Sequence, residues 1–336
     1  MTTTLTKRIL SSVKRAFLWT CLFMVLLASL GVLYQSAGAE ADRREHPAPG
    51  HLVDVGGFKM HIHCMGEGSP TVLLDSANMG TVSNWAWIQP KIAKTTRVCA
   101  YDRADSGWSD LSPQPNDTRQ NAEALHILFQ NAGVSGPYVL AGHSFGGLYV
   151  RMFAERYPDE VAGIVFIEGT LPDGLKRLGR PDVMPNAPDV GMIDAAPFIS
   201  HLGVLRLVGF PGTDPDLPEP QQSELQAYLS STKWAEMIKR QYHLFPVLLE
   251  QVRPLYTPGS LGEIPVAVVL GSEGDGGIAE WQELFAEQAR LSTNHTTVVV
   301  EGANHISLVD RREHAMQTGA VLIRVIEAAR SNQPLQ

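Results

Sequence analysis

The chain predicts an α/β fold, a mostly parallel, doubly wound sheet of eight strands, and three observations carry that expectation. From His51 onward short apolar runs alternate with helical patterns, the signature of a largely parallel sheet covered on both faces. The run Gly142-His143-Ser144-Phe145-Gly146 stands between an apolar strand and a helix. A long helical stretch without strands then precedes the last two strands.

The N-terminus comes first. Ala16 to Tyr34 carry no charge and follow Lys7, Arg8, Lys14 and Arg15, the pattern of a membrane-inserting segment whose positive end stays in the cytoplasm. Two readings stay open: an uncleaved transmembrane anchor, or a signal peptide cut after Ala37-Gly38-Ala39, which has the small-x-small form of a cleavage site. Either one places everything after about Glu40 outside the cytoplasm.

In the exported part, His51 to Val55 and Lys59 to Cys64 read as an antiparallel pair turned by Gly56-Gly57. Thr71 to Asp75 is the next strand, Trp85 to Ala93 a helix, and Arg97 to Tyr101 the fourth strand. A helix over Thr118 to Ala132 closes at Gly133, and Pro137 to Ala141 is the buried strand before the serine. Leu148 to Tyr157 is a helix ended by Pro158, and Val161 to Ile167 a strand. Between about Thr170 and Pro265 proline is dense and the helical runs Phe198 to Val208 and Gln221 to Arg253 appear without strands, which reads as a helical cap rather than a plain loop. Phe198, Leu202, Leu205, Trp234, Met237, Tyr242, Leu244, Phe245 and Leu248 are expected mostly in the cap's core, a minority forming an apolar wall of the site. Strands over Val266 to Leu270 and Thr296 to Val300 and a helix near Glu313 to Ala329 complete the chain. The organisation is therefore a basic cytoplasmic region (1–15), a membrane segment (16–34), a linker (35–50), the first part of the sheet core (51–169), the cap (170–264), the second part of the core (265–330) and a tail (331–336).

A serine bracketed by glycines in a strand-to-helix turn is held in strained backbone geometry, and only small flanking residues let strand and helix approach that closely. Ser144 is thus a candidate nucleophile. Its hydroxyl needs a base within hydrogen-bond reach, and His305, after the strand Thr297-Val298-Val299-Val300 and the turn Glu301-Gly302-Ala303-Asn304, emerges at the matching sheet edge. The net charge of −8, with no basic run beyond the N-terminus, argues against nucleic acid as a partner and leaves small molecules as ligands.

Three stretches together, Gly142-His143-Ser144-Phe145-Gly146-Gly147, Tyr101-Asp102-Arg103-Ala104-Asp105-Ser106-Gly107-Trp108-Ser109-Asp110 and Gly302-Ala303-Asn304-His305, resemble the α/β-hydrolase family in its esterase-like branch with a helical cap. The resemblance extends from about His51 to about Ala329. It implies the order nucleophile, acid, histidine. Two carboxylates compete for the acid: Asp275, after the strand Val266 to Leu270, the commonest location in the family, and Glu168, after Val161 to Ile167, where branches such as the haloalkane dehalogenases place theirs. The oxyanion donors are expected from Phe145, the residue after the nucleophile, and from Asn78, in a loop where many relatives carry His-Gly-x and this chain does not. Asp102 and Arg103 are expected to form a buried pair that fixes their loop. Of three cysteines, Cys21 lies in the apolar segment, leaving Cys64 and Cys99 on strands two and four, neighbours in the resembling fold; a disulfide is expected, with two buried thiols or metal binding by His61, His63 and Cys64 as alternatives.

The activity implied is hydrolysis of a carboxylic ester, or a related acyl bond, through an acyl-enzyme, with a small-molecule acyl substrate, the membrane as partner if residues 16–34 stay attached, and no cofactor or metal. Alternatives are a catalytically silent binding module and a haloperoxidase-like or carbon–carbon bond hydrolase using the same triad. Dehalogenase and epoxide-hydrolase chemistry would need an aspartate where Ser144 stands.

Overall fold

The computed structural model describes residues 2–184, 188–209, 216–274 and 279–335, with side chains from Leu10 onward. Helix α1, Thr2–Glu45, is continuous, and its apolar part is long enough to cross a membrane with none of that stretch buried against the rest of the chain. The helix runs on through residues 35–45, where a linker was expected. Ala37, Ala39 and Ala41 favour it, and Glu40 pairs with Arg43 and with Arg44 one turn on.

Strands β1 (His51–Asp54) and β2 (Lys59–Met65) form the expected hairpin, with Gly56 and Gly57 at positive φ and Asp54 Oδ1 accepting both their amides. There follow β3 (Thr71–Asp75), α2 (Ile88–Ile92), β4 (Val98–Asp102), α3 (Thr118–Asn131), β5 (Tyr138–His143), α4 (Gly146–Arg156) and β6 (Val161–Ile167). The cap contributes α5 (Gly174–Arg177), α6 (Val190–His201), α7 (Val204–Val208), α8 (Gln221–Leu229) and α9 (Thr232–Val252). Its second run, expected unbroken, divides at Ser230-Ser231, where the Ser231 side chain caps the new helix through the Trp234 amide. The chain returns through β7 (Val266–Gly271), α10 (Ala279–Ala289), β8 (His295–Val300), α11 (Ser307–Asp310) and α12 (Arg312–Ser331).

The sheet order is β1-β2-β4-β3-β5-β6-β7-β8, parallel from β4 to β8 and antiparallel at β1–β2 and β2–β4. Strands β3 to β5 and β7 are buried along their whole length, so their residues alternate between two cores. Leu73, Leu140, Phe166 and Val268 face α3, α4 and α9, whereas Leu74, Val139, Val165 and Val269 face α2 and α12. Register aligns Asp75 with Gly142, His143 with Ile167 and Gly271 with Val300. Whatever follows β3, β5, β6, β7 and β8 must therefore emerge at one edge, where ligands bind in open parallel sheets.

Cys64 and Cys99 face each other in the β2–β4 register with Cα atoms 4.0 Å apart and are joined as a disulfide. That bond removes Cys64 as a metal ligand. Closing a 35-residue separation restricts the unfolded chain. Replacing both cysteines by serine should lower unfolding free energy by about 3 to 4 kcal/mol. Denaturant melts of oxidised protein and of the double variant measure it, and coincident melts would refute it.

Candidate active site

Ser144 stands between β5 and α4 with φ of 53°, a left-handed conformation that a residue with a side chain adopts only when its surroundings impose it. The imposing contacts are backbone ones. Its amide donates to Ile167 O at 3.1 Å, and its carbonyl accepts from Thr170 N at 2.8 Å and Gly147 N at 2.9 Å. The flanking glycines are fixed by space: a Cβ on Gly142 would lie 2.6 Å from the Gly146 carbonyl carbon, and one on Gly146 would lie 2.3 Å from Asp75 O. The strand, the helix and the loop after β3 meet where no side chain fits.

Glu168, directly after β6, is the second residue here with left-handed backbone, at φ of 38°. Its side chain is 2% exposed, and both oxygens are used. Oε1 accepts the Gly271 amide at 2.7 Å, and Oε2 lies 2.7 Å from His305 Nδ1. His305 follows β8 on a turn through Gly302, with Asn304 Oδ1 accepting the Ile306 and Ser307 amides. Its ring is 40% exposed. Asp275, the competing acid read from the sequence, lies outside the described residues.

His143, inside the elbow, turns toward the site: its Nε2–H donates to the His305 carbonyl at 2.9 Å and the two rings stand 4.7 Å apart. Burial, then the neighbouring His305, hold the His143 pKa well below the usual imidazole range. It stays neutral, so it steadies the His305 backbone without placing a positive charge beside that ring.

The expected Asp102–Arg103 pair does not form. Arg103 turns instead to Asp75, at the end of β3, and Asp75 also accepts from Tyr101 Oη at 2.6 Å. Asp102 is occupied by His61 Nδ1, 2.9 Å away, and by the amides of Val82 and Trp108, both at 3.0 Å. The difference follows from strand direction: consecutive residues leave a strand on opposite faces and cannot pair with each other. Burial lowers the Arg103 pKa, but the Asp75 carboxylate, together with Tyr149 and Tyr101 beside it, reverses this and raises it. Arg103 further donates to Ser76 O at 2.6 Å and Ala77 O at 2.9 Å. Because N–H and C=O of a trans peptide point oppositely, drawing these two carbonyls toward Arg103 turns the amides of Ala77 and Asn78 away from it. The Asn78 side chain is buried, with Nδ2 3.6 Å from Met184 Sδ and Oδ1 without a hydrogen-bond partner among the described residues. Phe145, the other expected donor, opens α4, and its ring stacks on Phe245 of α9 at 5.2 Å.

The sequence of residues 62–316 matches the model of the alpha/beta hydrolase family. The chain belongs to that family. Among curated relatives, 235 residues are 26% identical to the 2-hydroxy-6-oxo-2,4-heptadienoate hydrolase of Pseudomonas putida, covering 64% of this chain and 84% of that one. A 196-residue stretch is 31% identical to an uncharacterized protein of Schizosaccharomyces pombe, covering 48% of this chain and only 35% of that protein's length. The thermophilic esterase of Thermogutta terrifontis shares the fold at a TM-score of 0.59 and 20% identity, over 82% of this chain and 97% of that one.

Two expectations follow for this alpha/beta hydrolase. Arg103→Met leaves the buried Asp75 unpaired and should cost about 3 to 5 kcal/mol of stability; a melt within about 1 kcal/mol of the parent would refute the pairing's weight. The neutral His143 concerns pH. Its folded pKa lies below the unfolded value of about 6.5, so its contribution is complete above that pH and is lost as pH falls through the folded value. His143→Gln should therefore lose less melting temperature than the parent between about pH 7 and about pH 5. Equal losses would count against it.

Proposed function

We propose that the protein is a membrane-anchored, extracytoplasmic serine hydrolase that cleaves a carboxylic ester through a Ser144–His305–Glu168 triad. The observation that carries the reading is the 2.7 Å contact between Glu168 Oε2 and His305 Nδ1, at the sheet edge from which Ser144 also emerges. Its buried carboxylate fixes the tautomer that carries a proton on Nδ1 and leaves Nε2 free to act as base. Ser144 Oγ attacks the acyl carbon while Nε2 takes its proton. The C=O π pair moves to oxygen, and the amides of Phe145 and Asn78 receive that oxyanion. Collapse expels the alcohol, which takes the proton from Nε2, and water repeats the sequence to release the acid.

Export is supported by the basic N-terminal flank and by the Cys64–Cys99 disulfide, since such bonds persist in oxidising compartments. Retention of the anchor is supported by its docking on the cap. Gln35 Nε2 donates to Ser230 O at 3.2 Å, and Arg206 pairs with Asp42 at 2.6 Å, on both sides of the small-residue cleavage site. A second reading, carbon–carbon bond hydrolysis by the same triad, draws on the likeness to the Pseudomonas hydrolase.

A fluorophosphonate should label one residue, and label retained in Ser144→Ala would sink the nucleophile. On p-nitrophenyl esters, Glu168→Gln should lower kcat roughly 10⁴-fold, by analogy with a triad aspartate changed to asparagine, while Asp275→Asn keeps most turnover. The opposite ranking would make Asp275 the acid, and labelling without turnover of any ester would favour the second reading.

A further inference from the structure

Phe198 was expected in the cap's core, but it is 69% exposed, and Leu207 and Val208 on α7 are 77% and 76% exposed. These three belong to the α6–α7 corner, and that corner touches α1. A Cβ on Gly31 would lie 2.4 Å from Leu202 O, and one on Gly203 would lie 2.9 Å from the Tyr34 ring. The backbone contact therefore falls inside the uncharged run of α1, and Arg206 extends the contact beyond it to Asp42.

Length then decides where the corner sits. From Ala16 to Leu30 the helix rises about 22 Å, short of the roughly 30 Å of hydrocarbon that a span must cross. The crossing needs the turn from Gly31 to Gln35, which is the turn that holds Leu202 and Gly203. Phe198 is one helical turn before Leu202, and Leu207 one turn after Gly203, so both lie within about 6 Å along their helices of that level. The polar groups of the corner are tied to protein: His201 Nδ1 lies 2.7 Å from Pro197 O. Asp194, a further turn before Phe198, pairs with His243 and Lys239, and Arg206 reaches up α1 to Asp42.

We propose that Phe198, Leu207 and Val208 insert into the lipid at the outer boundary of the bilayer, so that the cap is a membrane-seated element alongside the anchor. The inference rests on the anchored reading above, because it takes residues 16–34 as spanning. Burying three large apolar side chains in lipid instead of water adds to the attachment that α1 provides. The occupant is lipid because the exposed apolar surface of the corner continues that of a helix whose own apolar side chains, Phe23 and Leu30 among them, are exposed in the same way.

The test uses the full chain in phosphatidylcholine vesicles, with Cys21→Ser removing the free thiol and single cysteines introduced as Phe198→Cys, Leu207→Cys, Phe23→Cys and Glu123→Cys for an environment-sensitive fluorophore. Glu123, exposed on α3, is the water reference, and Phe23 reports the span. The expected result is blue-shifted emission at positions 198 and 207, quenched by lipids bearing a nitroxide near the headgroup, with neither effect at 123. If 23 is quenched while 198 and 207 behave like 123, the proposal falls and the anchor stands. Blue-shifted emission at 198 and 207 that lipid nitroxides do not quench means that protein, such as a second copy, covers them, and also overturns it. Water-like emission at 23 would remove the anchored reading and this proposal with it.

Discussion

One buried ion pair organises the site edge. Asp75 closes a strand that is buried along its whole length and apolar from Val72 to Leu74, so its carboxylate is shut off from solvent. Arg103 answers it from the neighbouring strand end and stacks its guanidinium 4.8 Å over the Tyr149 ring of α4. The same guanidinium holds the carbonyls of Ser76 and Ala77. The ends of β3 and β4, the loop between β3 and α2 and the helix after the serine are thereby locked around one cation. Removing either charge would leave the other buried and unpaired, which costs more than the pair itself contributes.

Around that lock, space rather than attraction sets the elbow. Gly142 and Gly146 let β5, α4 and the β3 loop approach until only hydrogen atoms fit between them. The left-handed backbone at Ser144 and Glu168 is tolerated because each is tied to the next strand, Ser144 to Ile167 and Glu168 to Val269. The cap adds its own ties to the loops at this edge: Ser83 to Glu224 at 2.8 Å, Lys233 to the carbonyls of Gly107 and Ser109, and Arg240 to Asp105 at 3.1 Å.

Most of the fold was legible because its signals are local. Strands such as Thr71–Asp75 and Val161–Ile167 are short apolar runs bounded by turn residues, and their limits matched residue for residue. The places of Ser144 and His305 at the sheet edge were legible for the same reason, each following a strong strand through a glycine turn. What the chain hid depends on direction and distance. Alternation could have warned that Asp102 and Arg103 leave opposite faces, and a carboxylate ending a buried strand could have pointed to Asp75 as the partner. The choice between Glu168 and Asp275 was not legible, because both stand after parallel strands and the sequence pattern is the same for each. Phe198 looked like core because hydrophobicity alone does not say whether protein or lipid will cover a side chain.

The position of Glu168 has a mechanical consequence. Serine and carboxylate follow β5 and β6, strands that are hydrogen-bonded neighbours, and the serine amide itself donates into the end of β6. These two groups ride on one stiff unit, and their separation is set by sheet geometry that thermal motion barely alters. His305 alone comes from the far edge strand, on a turn held by Asn304 and His143. Geometric error in the proposed triad thus collapses onto a single moving part, and the short segment from Gly302 to Ser307 becomes the place where alignment is gained or lost.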